Sequence, residues 1–151
     1  MENPILFKFL KMDLTQFAIF VDNYPIETQK LGVCYRFQFA YNFEEHLVLC
    51  KTIIELSDND KLVLKADLDC FFKIEEESAF AIECNDEATL HPVLLVQFAS
   101  LAYGSMRGVL YAKTLGTPLN NFILPPSEIS PLLKDPLKFS QRQSADSKIT
   151  S

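Results

Sequence analysis

PVLLVQFASLAYGSMRGVLYAK, residues 92–113, is the longest segment with a helical pattern in this chain. Pro92 suits the first turn of a helix because its φ is already fixed, and Gly116 and Pro118 are typical of the residues just beyond a helix end. At about 1.5 Å per residue the helix would be roughly 33 Å long. Its only strongly polar side chains are Gln97, Arg107 and Lys113. A helix that is apolar nearly all round must be buried against a large surface.

Small residues recur at every fourth position of this helix, namely Ser100, Gly104, Gly108 and Ala112. This spacing makes a smooth strip where another backbone can approach closely, so we assign these residues and Arg107 to helix packing and oligomer contacts. Small residues at this spacing also occur in membrane helices. Because Arg107 lies well inside the segment, Gln97 interrupts the apolar run and no basic residues flank it, we predict a packed helix without membrane insertion.

The composition is that of one globular domain. The chain has 151 residues, of which 48% are apolar and 12% aromatic, so it can build a sizeable core and wholesale disorder is excluded. Its net charge of −6, without a basic cluster, argues against nucleic acid as a partner. We see no secretory signal at the start, and the four cysteines show no C-x-x-C spacing, so we expect reduced thiols and a cytoplasmic location.

Four stretches ahead of the helix alternate apolar and polar residues with the period of a β-strand. They are residues 5–21, 33–43, 46–57 and 61–75. The first stretch changes phase between Leu14 and Phe17, which predicts a β-bulge or a sharp bend. Because turns join the strands, we expect antiparallel pairing. The segment from Glu75 to His91 is acidic and is predicted to be an irregular link into the helix.

The chain beyond the helix predicts a connector, a second helix and a tail. Prolines bracket an extended connector that contains Leu119, Phe122, Ile123 and Leu124. Ser127 can begin a short second helix that ends at about Leu133. The composition then turns polar, which predicts a flexible tail over residues 134–151.

We therefore predict a single α+β domain over residues 1–133, in which a four-stranded antiparallel sheet is followed by one long and one short helix. One helix can cover only one face of such a sheet, and the strands carry apolar residues on more than one face. Since one chain cannot bury all of this surface, we also expect a homo-oligomer.

No pattern in the chain favours an enzyme. His46 and His91 have no catalytic partner at a recognisable spacing, and there is no glycine-rich phosphate loop and no G-x-S-x-G sequence. Asp67 and Asp69 share one face of the fourth strand, but lysines flank them, so a solvated charged face is the better interpretation. A calcium loop at Asp58 lacks the required glycine and closing glutamate. We expect no metal and no cofactor.

A family resemblance is visible in and after the helix. The sequence SMRG at residues 105–108, GT at 116–117 and the run from Asn120 through ILP at 123–125 resemble the SecB family, the bacterial protein-export chaperone and its divergent relatives. In that family a long helix carries a Thr/Ser-x-Arg-Gly stretch, followed by an extended crossover and a short second helix. The resemblance extends to specific residues only between about 92 and 133, and elsewhere to the order of the elements.

The resemblance implies a homotetramer, a dimer of dimers with the long helices between sheets, and an ATP-independent holdase that keeps preproteins unfolded for export. Clients would lie in long apolar grooves. One groove wall would be Val33, Tyr35, Phe37 and Phe39, and the other would be Leu119, Phe122, Ile123 and Leu124. Phe37 and Phe39 lie in mid-strand, so an ordinary core position is an equal alternative for them.

Several functional alternatives stay open at this point. The resemblance implies the translocation motor ATPase as a partner, yet residues 134–151 are net basic, with four Lys or Arg against two Asp, and resemble no motor-binding tail. Some relatives instead guard antitoxins of toxin–antitoxin systems. An adaptor with one dedicated partner and a small-ligand binder with an apolar cavity are the alternatives to a general holdase.

Overall fold

Two antiparallel sheets and one long helix make up the described part of the chain. The computed structural model describes residues 7–24, 30–75, 81–141 and 147–150. The larger sheet contains β1 (Phe7–Ile19), β2 (Gly32–Asn42), β3 (Leu47–Asp58), β4 (Lys61–Ile74) and β8 (Ser147–Thr150), in the order β1-β4-β3-β2-β8. The smaller sheet contains β5 (Ala81–Cys84), β6 (Glu87–Leu90) and β7 (Leu137–Ser140), in the order β5-β6-β7. Helix α1 (Pro92–Lys113) follows β6 in the chain.

The four long strands are confirmed, with bounds that agree with the prediction to within two residues. All of them pair antiparallel. The phase change in β1 is a bulge, because Leu14 pairs with Leu68 whereas Gln16 pairs with Asp67. Thr15 is the extra residue, and the side chains beyond it change face. The alternation therefore located one of the two irregularities in β1, and it missed the other, a register shift between Phe9 and Lys11.

Helix α1 buries one face against the larger sheet. His91 caps the first turn, since its Nδ1 accepts a hydrogen bond of 3.1 Å from the Val93 amide, and Pro92 is in the first turn of the helix. The buried helix residues are Leu94, Leu95, Phe98, Ala99, Ala102, Tyr103, Met106 and Leu110. By length and composition alone α1 could also cross a membrane, with a mean hydropathy of 1.4 over its most apolar window, but 44% of that window is buried within this fold. Core helices of soluble proteins share these properties.

Aromatic side chains fill the space between α1 and the larger sheet. Phe98 of α1 stacks on Phe72 of β4 with ring centroids 4.3 Å apart, and Phe7 of β1 meets Phe98 edge-on at 5.0 Å. Phe37 and Phe39 of β2 are fully buried in the same core cluster. Aromatic rings thus occupy the space in which the small-ligand alternative requires a cavity.

The prediction of an irregular link between Glu75 and His91 is wrong, because β5 and β6 form a hairpin there. Asn85 and Asp86 make its two-residue turn, with φ of 51° and 63°. Both values are left-handed, as a type I′ turn requires, and Asn and Asp tolerate that conformation better than most residues. The hairpin is hard to recognise in the sequence because the turn lacks the usual glycine. Residues 76–80 of the predicted link lie outside the described residues.

Two predictions for the chain after α1 are also wrong. In place of the short second helix there is only a three-residue 3₁₀ turn, Ser130–Leu132, because Pro131 lacks the amide hydrogen that a longer helix would need. The predicted flexible tail is contradicted at Leu137–Ser140, which pairs with β6 and buries Phe139. Ser147–Thr150 pairs with β2, and residues 142–146 and 151 lie outside the described residues. The folded domain therefore extends beyond residue 133.

Cys34 and Cys84 should react with a thiol reagent at mildly alkaline pH, whereas Cys50 and Cys70 should not. The first two are exposed, and the other two are fully buried and face each other across β3 and β4. Burial, followed by the charge of Asp69, raises the pKa of the Cys70 thiol from 9.0 to about 12, so it stays protonated. Counting reactive thiols before and after addition of guanidinium tests this expectation. Four thiols of equal reactivity in the folded protein would contradict it.

The same pKa shift has a consequence for stability. Since the thiol of Cys70 has a higher pKa in the folded state, the folded protein keeps a proton that the unfolded chain releases. The free energy of unfolding should therefore fall as the pH rises from about 9 toward 12. A Cys50→Ala/Cys70→Ala variant should show a shallower decrease over the same pH range in urea titrations.

Candidate functional site

Side chains of α1 hold the connector, defined here as residues 117–129, along the helix. Arg107 Nε donates to the Leu124 carbonyl oxygen at 2.9 Å, and Tyr103 Oη donates to the Pro125 carbonyl oxygen at 2.7 Å. An extended segment outside a sheet has carbonyl groups without a strand partner, and these side-chain donors satisfy two of them. The connector is therefore fixed in place although its regular secondary structure is limited to a short 3₁₀ helix, Pro118–Asn121.

The turn between α1 and the connector is built from small polar side chains. Gly116 has a φ of 82°, the left-handed conformation that ends many helices. Thr117 Oγ1 accepts a hydrogen bond of 3.2 Å from the Leu119 amide, and Asn120 Nδ2 donates to the Tyr111 carbonyl oxygen at 2.8 Å. These bonds reverse the chain so that the connector begins against the last turns of α1.

Tyr35 of β2 links the sheet, the helix and the connector. Its hydroxyl is hydrogen-bonded to Ser127 Oγ in the connector, and its ring centroid lies 5.3 Å from that of Tyr103 in α1. Burial raises the pKa of the Tyr103 phenol, so its hydroxyl keeps the proton that it donates to the connector. The two elements assigned to the groove walls, β2 and the connector, are thus neighbours.

The eight residues assigned to client contacts divide between the core and the surface. Four of them are core residues, namely Phe37, Phe39, Leu119 and Leu124. Three keep part of their surface, namely Val33, Tyr35 and Phe122, and Ile123 is 63% exposed. The side chains of the first four cannot line a groove while the chain is folded in this way, because their atoms are already packed within it. Their assignment as groove side chains is therefore wrong.

The small residues of α1 lie on its outer face. Ser100, Gly104, Gly108 and Ala112 are all exposed. A Cβ atom built at Gly104 or Gly108 would meet no atom within 4 Å, so the strip does not pack on the sheet of its own chain. Arg107 lies apart from the strip, because it is half-buried and hydrogen-bonded to the connector. The assignment of the strip to oligomer contacts stays a prediction.

An apolar patch at the end of α1 joins Phe122 and Ile123, which were assigned to client contacts from the sequence, to Tyr111, which was missed. This helix-end patch consists of Tyr111, Phe122 and Ile123, and the exposed Leu115 follows two residues beyond the end of α1. Tyr111 is 53% exposed and Leu115 is 61% exposed. Tyr111, Phe122 and Ile123 line one cleft of about 20 Å³, which is too small for an ordinary small-molecule ligand. The patch therefore suits contact with a macromolecule.

A second cavity, of about 150 Å³, contains the titratable groups that come closest to a catalytic arrangement. His46 Nδ1 lies 3.2 Å from Glu83 Oε2 and 3.5 Å from Tyr41 Oη. None of the residues lining this cavity is a serine, threonine or cysteine that could act as a nucleophile. The contact between His46 and Glu83 joins the β2–β3 turn to β5. Among the described residues, no group of three or more His, Cys, Asp or Glu side chains could hold a metal ion.

Arg107→Met should lower the free energy of unfolding by about 1–2 kcal/mol, because the Leu124 carbonyl loses a charged donor at a half-buried site. Urea denaturation measures this change. Ser105→Ala is the control, since Ser105 is two positions away and donates only to Leu101 within the helix, at 2.8 Å. We expect this control to lie within about 0.5 kcal/mol of the wild type. Equal stabilities of the two variants would show that Arg107 does not hold the connector.

The chain was compared with protein-family models, with curated proteins and with solved structures. None of the three comparisons found a match. The resemblance to the SecB family therefore rests on the motif residues and on the order of the four long strands and the long helix, since the short second helix is absent over residues 127–133.

Proposed function

We propose that the protein is an ATP-independent holdase of the SecB type, which binds unfolded polypeptides such as preproteins and keeps them from aggregating. The observation that carries the proposal is the helix-end patch. Tyr111 and Ile123 stay exposed and Phe122 is half-buried, although the connector is fixed to α1 by hydrogen bonds from Arg107 and Tyr103. Unfolded chains expose apolar segments, and a fixed apolar surface binds such segments without sequence rules.

The size of the patch suits reversible binding. Burial of one large apolar side chain contributes roughly 1.5–3 kcal/mol. A client segment that covers Tyr111, Phe122 and Ile123 therefore gains several kcal/mol before the cost of association is subtracted. Affinities in the micromolar range or weaker follow for one such contact, and several copies in an oligomer would strengthen the binding of one long client. A holdase has to release its clients, so weak individual contacts are suitable.

The proposal includes assembly into a homotetramer. On the outer face of α1, Val93 and Leu101 flank the small-residue strip and are 44% and 42% exposed. Among the described strands, β1 pairs only with β4, and Phe9, Leu10 and Met12 of β1 are exposed beside its free edge. An apolar helix face and an apolar edge strand that are uncovered in one chain both favour association with further copies.

The route of the clients stays open in the proposal. The resemblance implies an acidic sheet surface that recruits the translocation motor ATPase. On the sheet face opposite α1, Lys51 pairs with Asp69 at 3.0 Å, and Arg36 pairs with Glu55 at 3.3 Å. Because these two acids are matched by bases, we treat the motor as a partner to be tested separately. The proposed holdase is cytoplasmic, as the sequence predicts.

Ile123→Ser should weaken the holdase activity, and Val21→Ser should leave it unchanged. Both side chains are 63% exposed, but only Ile123 belongs to the helix-end patch. The assay follows the turbidity of an aggregation-prone unfolded protein without nucleotide, after the oligomer mass has been measured by light scattering. We expect the wild type and Val21→Ser to suppress turbidity at near-stoichiometric oligomer, and Ile123→Ser to require several times more protein.

A folded oligomer that suppresses the aggregation of no unrelated client would contradict the general holdase. The alternative, an adaptor or antitoxin-binding protein with one dedicated partner, would then predict a single dominant protein in a pull-down. The same pull-down would also test the helix-end patch, because the Ile123→Ser variant should lose that partner and the Val21→Ser variant should keep it.

A further inference from the structure

The outer edge of β2 is occupied by a strand from the same chain. β8 pairs antiparallel with the middle of β2 through four residue pairs, Arg36 with Thr150, Phe37 with Ile149, Gln38 with Lys148 and Phe39 with Ser147. On its other side β2 pairs with β3 along its whole length. The edge thus accepts an added strand through main-chain hydrogen bonds, which depend little on side-chain identity.

The pairing of β8 is the shortest in the larger sheet. It covers four of the eleven residues of β2, and among the described strands β8 has a partner on one side only. Its sequence, SKIT, contains a single strongly apolar residue. A short edge strand of this kind contributes few hydrogen bonds and opens at low free-energy cost compared with a central strand. β8 is therefore the element of this sheet that another chain could displace most easily.

The edge covered by β8 lies next to the candidate site. Arg36, at one end of the paired stretch, directly follows Tyr35, whose hydroxyl bonds to Ser127 of the connector. The side chains of Phe37 and Phe39 are buried in the core, so at these positions β2 can offer a partner only its main chain. A polypeptide that lies along the connector would reach this main-chain edge and would meet β8 there.

We infer that an extended client segment adds to β2 as an antiparallel strand at residues 36–39, and that β8 is an intramolecular competitor which the client displaces. The inference rests on the proposed function, and it assigns a contact surface and a regulation to that function. The client contacts the main chain of β2, because the rings of Phe37 and Phe39 are buried. In the absence of clients, β8 occupies the same edge and so limits access to it.

The competition has a calculable effect on affinity. A tethered strand has an effective concentration on the order of millimolar, so even weak pairing keeps the edge covered. The apparent affinity for a client is reduced by the fraction of time for which the edge is free. If β8 is docked for about nine-tenths of the time, releasing it raises the affinity about tenfold.

The experiment compares full-length chains that differ only in β8. The test variant is Lys148→Pro/Ile149→Pro. Adjacent residues of an antiparallel strand direct their N–H groups to opposite sides, so one of these two residues donates toward β2. Because proline has no N–H group, the double variant removes that donor whichever residue carries it. Lys148→Arg/Ile149→Val keeps both donors and is the matched control. The probe is a fluorescein-labelled, reduced and carboxymethylated protein that cannot refold, and its binding is followed by anisotropy. We expect the proline variant to bind the client about tenfold more tightly than the wild type, and the control to bind with the affinity of the wild type. All three chains should have the same melting temperature.

Two further measurements separate displacement from other effects. A peptide with the sequence of residues 142–151, RQSADSKITS, should compete with the client on the proline variant, and a scrambled peptide should not. Without any client present, amide hydrogen exchange at those residues of 36–39 whose N–H groups face β8 should be faster in the proline variant than in the wild type, whereas the amides that face β3 should be unchanged.

The outcomes distinguish the inference from the function on which it rests. Equal affinities of wild type and proline variant, in chains that both bind the client, overturn the inference and leave the holdase intact. Weaker binding by the proline variant also overturns it, because β8 would then belong to the client site. If no chain binds the client, the proposed function fails and displacement by clients fails with it.

Discussion

Replacing Phe98 by alanine should lower the free energy of unfolding by about 3–5 kcal/mol, because its ring joins α1 to the larger sheet. The ring is fully buried, stacks on Phe72 with centroids 4.3 Å apart and meets Phe7 edge-on at 5.0 Å. Alanine would remove both ring contacts and leave a cavity that the packed neighbours can fill only in part. Urea denaturation followed by far-UV circular dichroism measures the change.

Two control substitutions define what this result means. Phe98→Leu keeps most of the buried volume and should cost less than half as much. Phe20→Ala removes the same ring from a position that is 40% exposed, so we expect a loss under about 1 kcal/mol. If Phe98→Ala were no more destabilising than Phe20→Ala, α1 would not be packed on the sheet through this ring.

Gly108→Leu should dissociate the proposed homotetramer while it makes the single chain more stable. A glycine inside a helix costs roughly 0.5–1 kcal/mol relative to alanine, and a Cβ at Gly108 would meet no atom within 4 Å in its own chain. Between two closely packed helices, however, a leucine side chain would hold the backbones apart. Light scattering should report the 17.2 kDa of one chain for the variant, and about four times that mass for the wild type.

The control for added apolar bulk is Lys113→Leu, at an exposed position of α1 outside the small-residue strip. This variant should keep the mass of the wild type. A wild-type protein that is monomeric at working concentrations would contradict the proposed assembly. An unchanged oligomer in Gly108→Leu would place the interface elsewhere, and the free edge of β1 would be the next surface to change.

The long elements could be predicted from the sequence because each one repeats its pattern many times. β3 and β4 carry apolar residues at nearly every second position over 12 and 14 residues, and α1 has a proline at its start and a glycine just after its end. β5, β6, β7 and β8 have only four residues each. Four residues are too few for alternation to be recognised. Tertiary pairing stabilises these strands, as the burial of Phe139 shows for β7.

The candidate site was predictable only in part. Periodicity shows which face of a strand a residue lies on, but it does not show how deeply that residue is buried. Tyr35, Phe37 and Phe39 share one face of β2, yet Tyr35 is half-buried beside the connector and the two phenylalanines are fully buried. The connector has no period at all. Ile123 is exposed next to the buried Leu124 because hydrogen bonds from α1 orient the backbone there, and no local pattern encodes those bonds.

The strand order of the larger sheet has a consequence for synthesis on the ribosome. β1 is made early, yet it pairs with β4, and Leu14 lies opposite a residue 54 positions later, Leu68. At about 5–20 residues per second, the ribosome needs several seconds to add that length of chain. During this interval β1 lacks its strand partner and exposes its apolar side chains to other nascent chains. Each newly made copy therefore begins as the kind of unpaired apolar segment that the finished protein is proposed to bind.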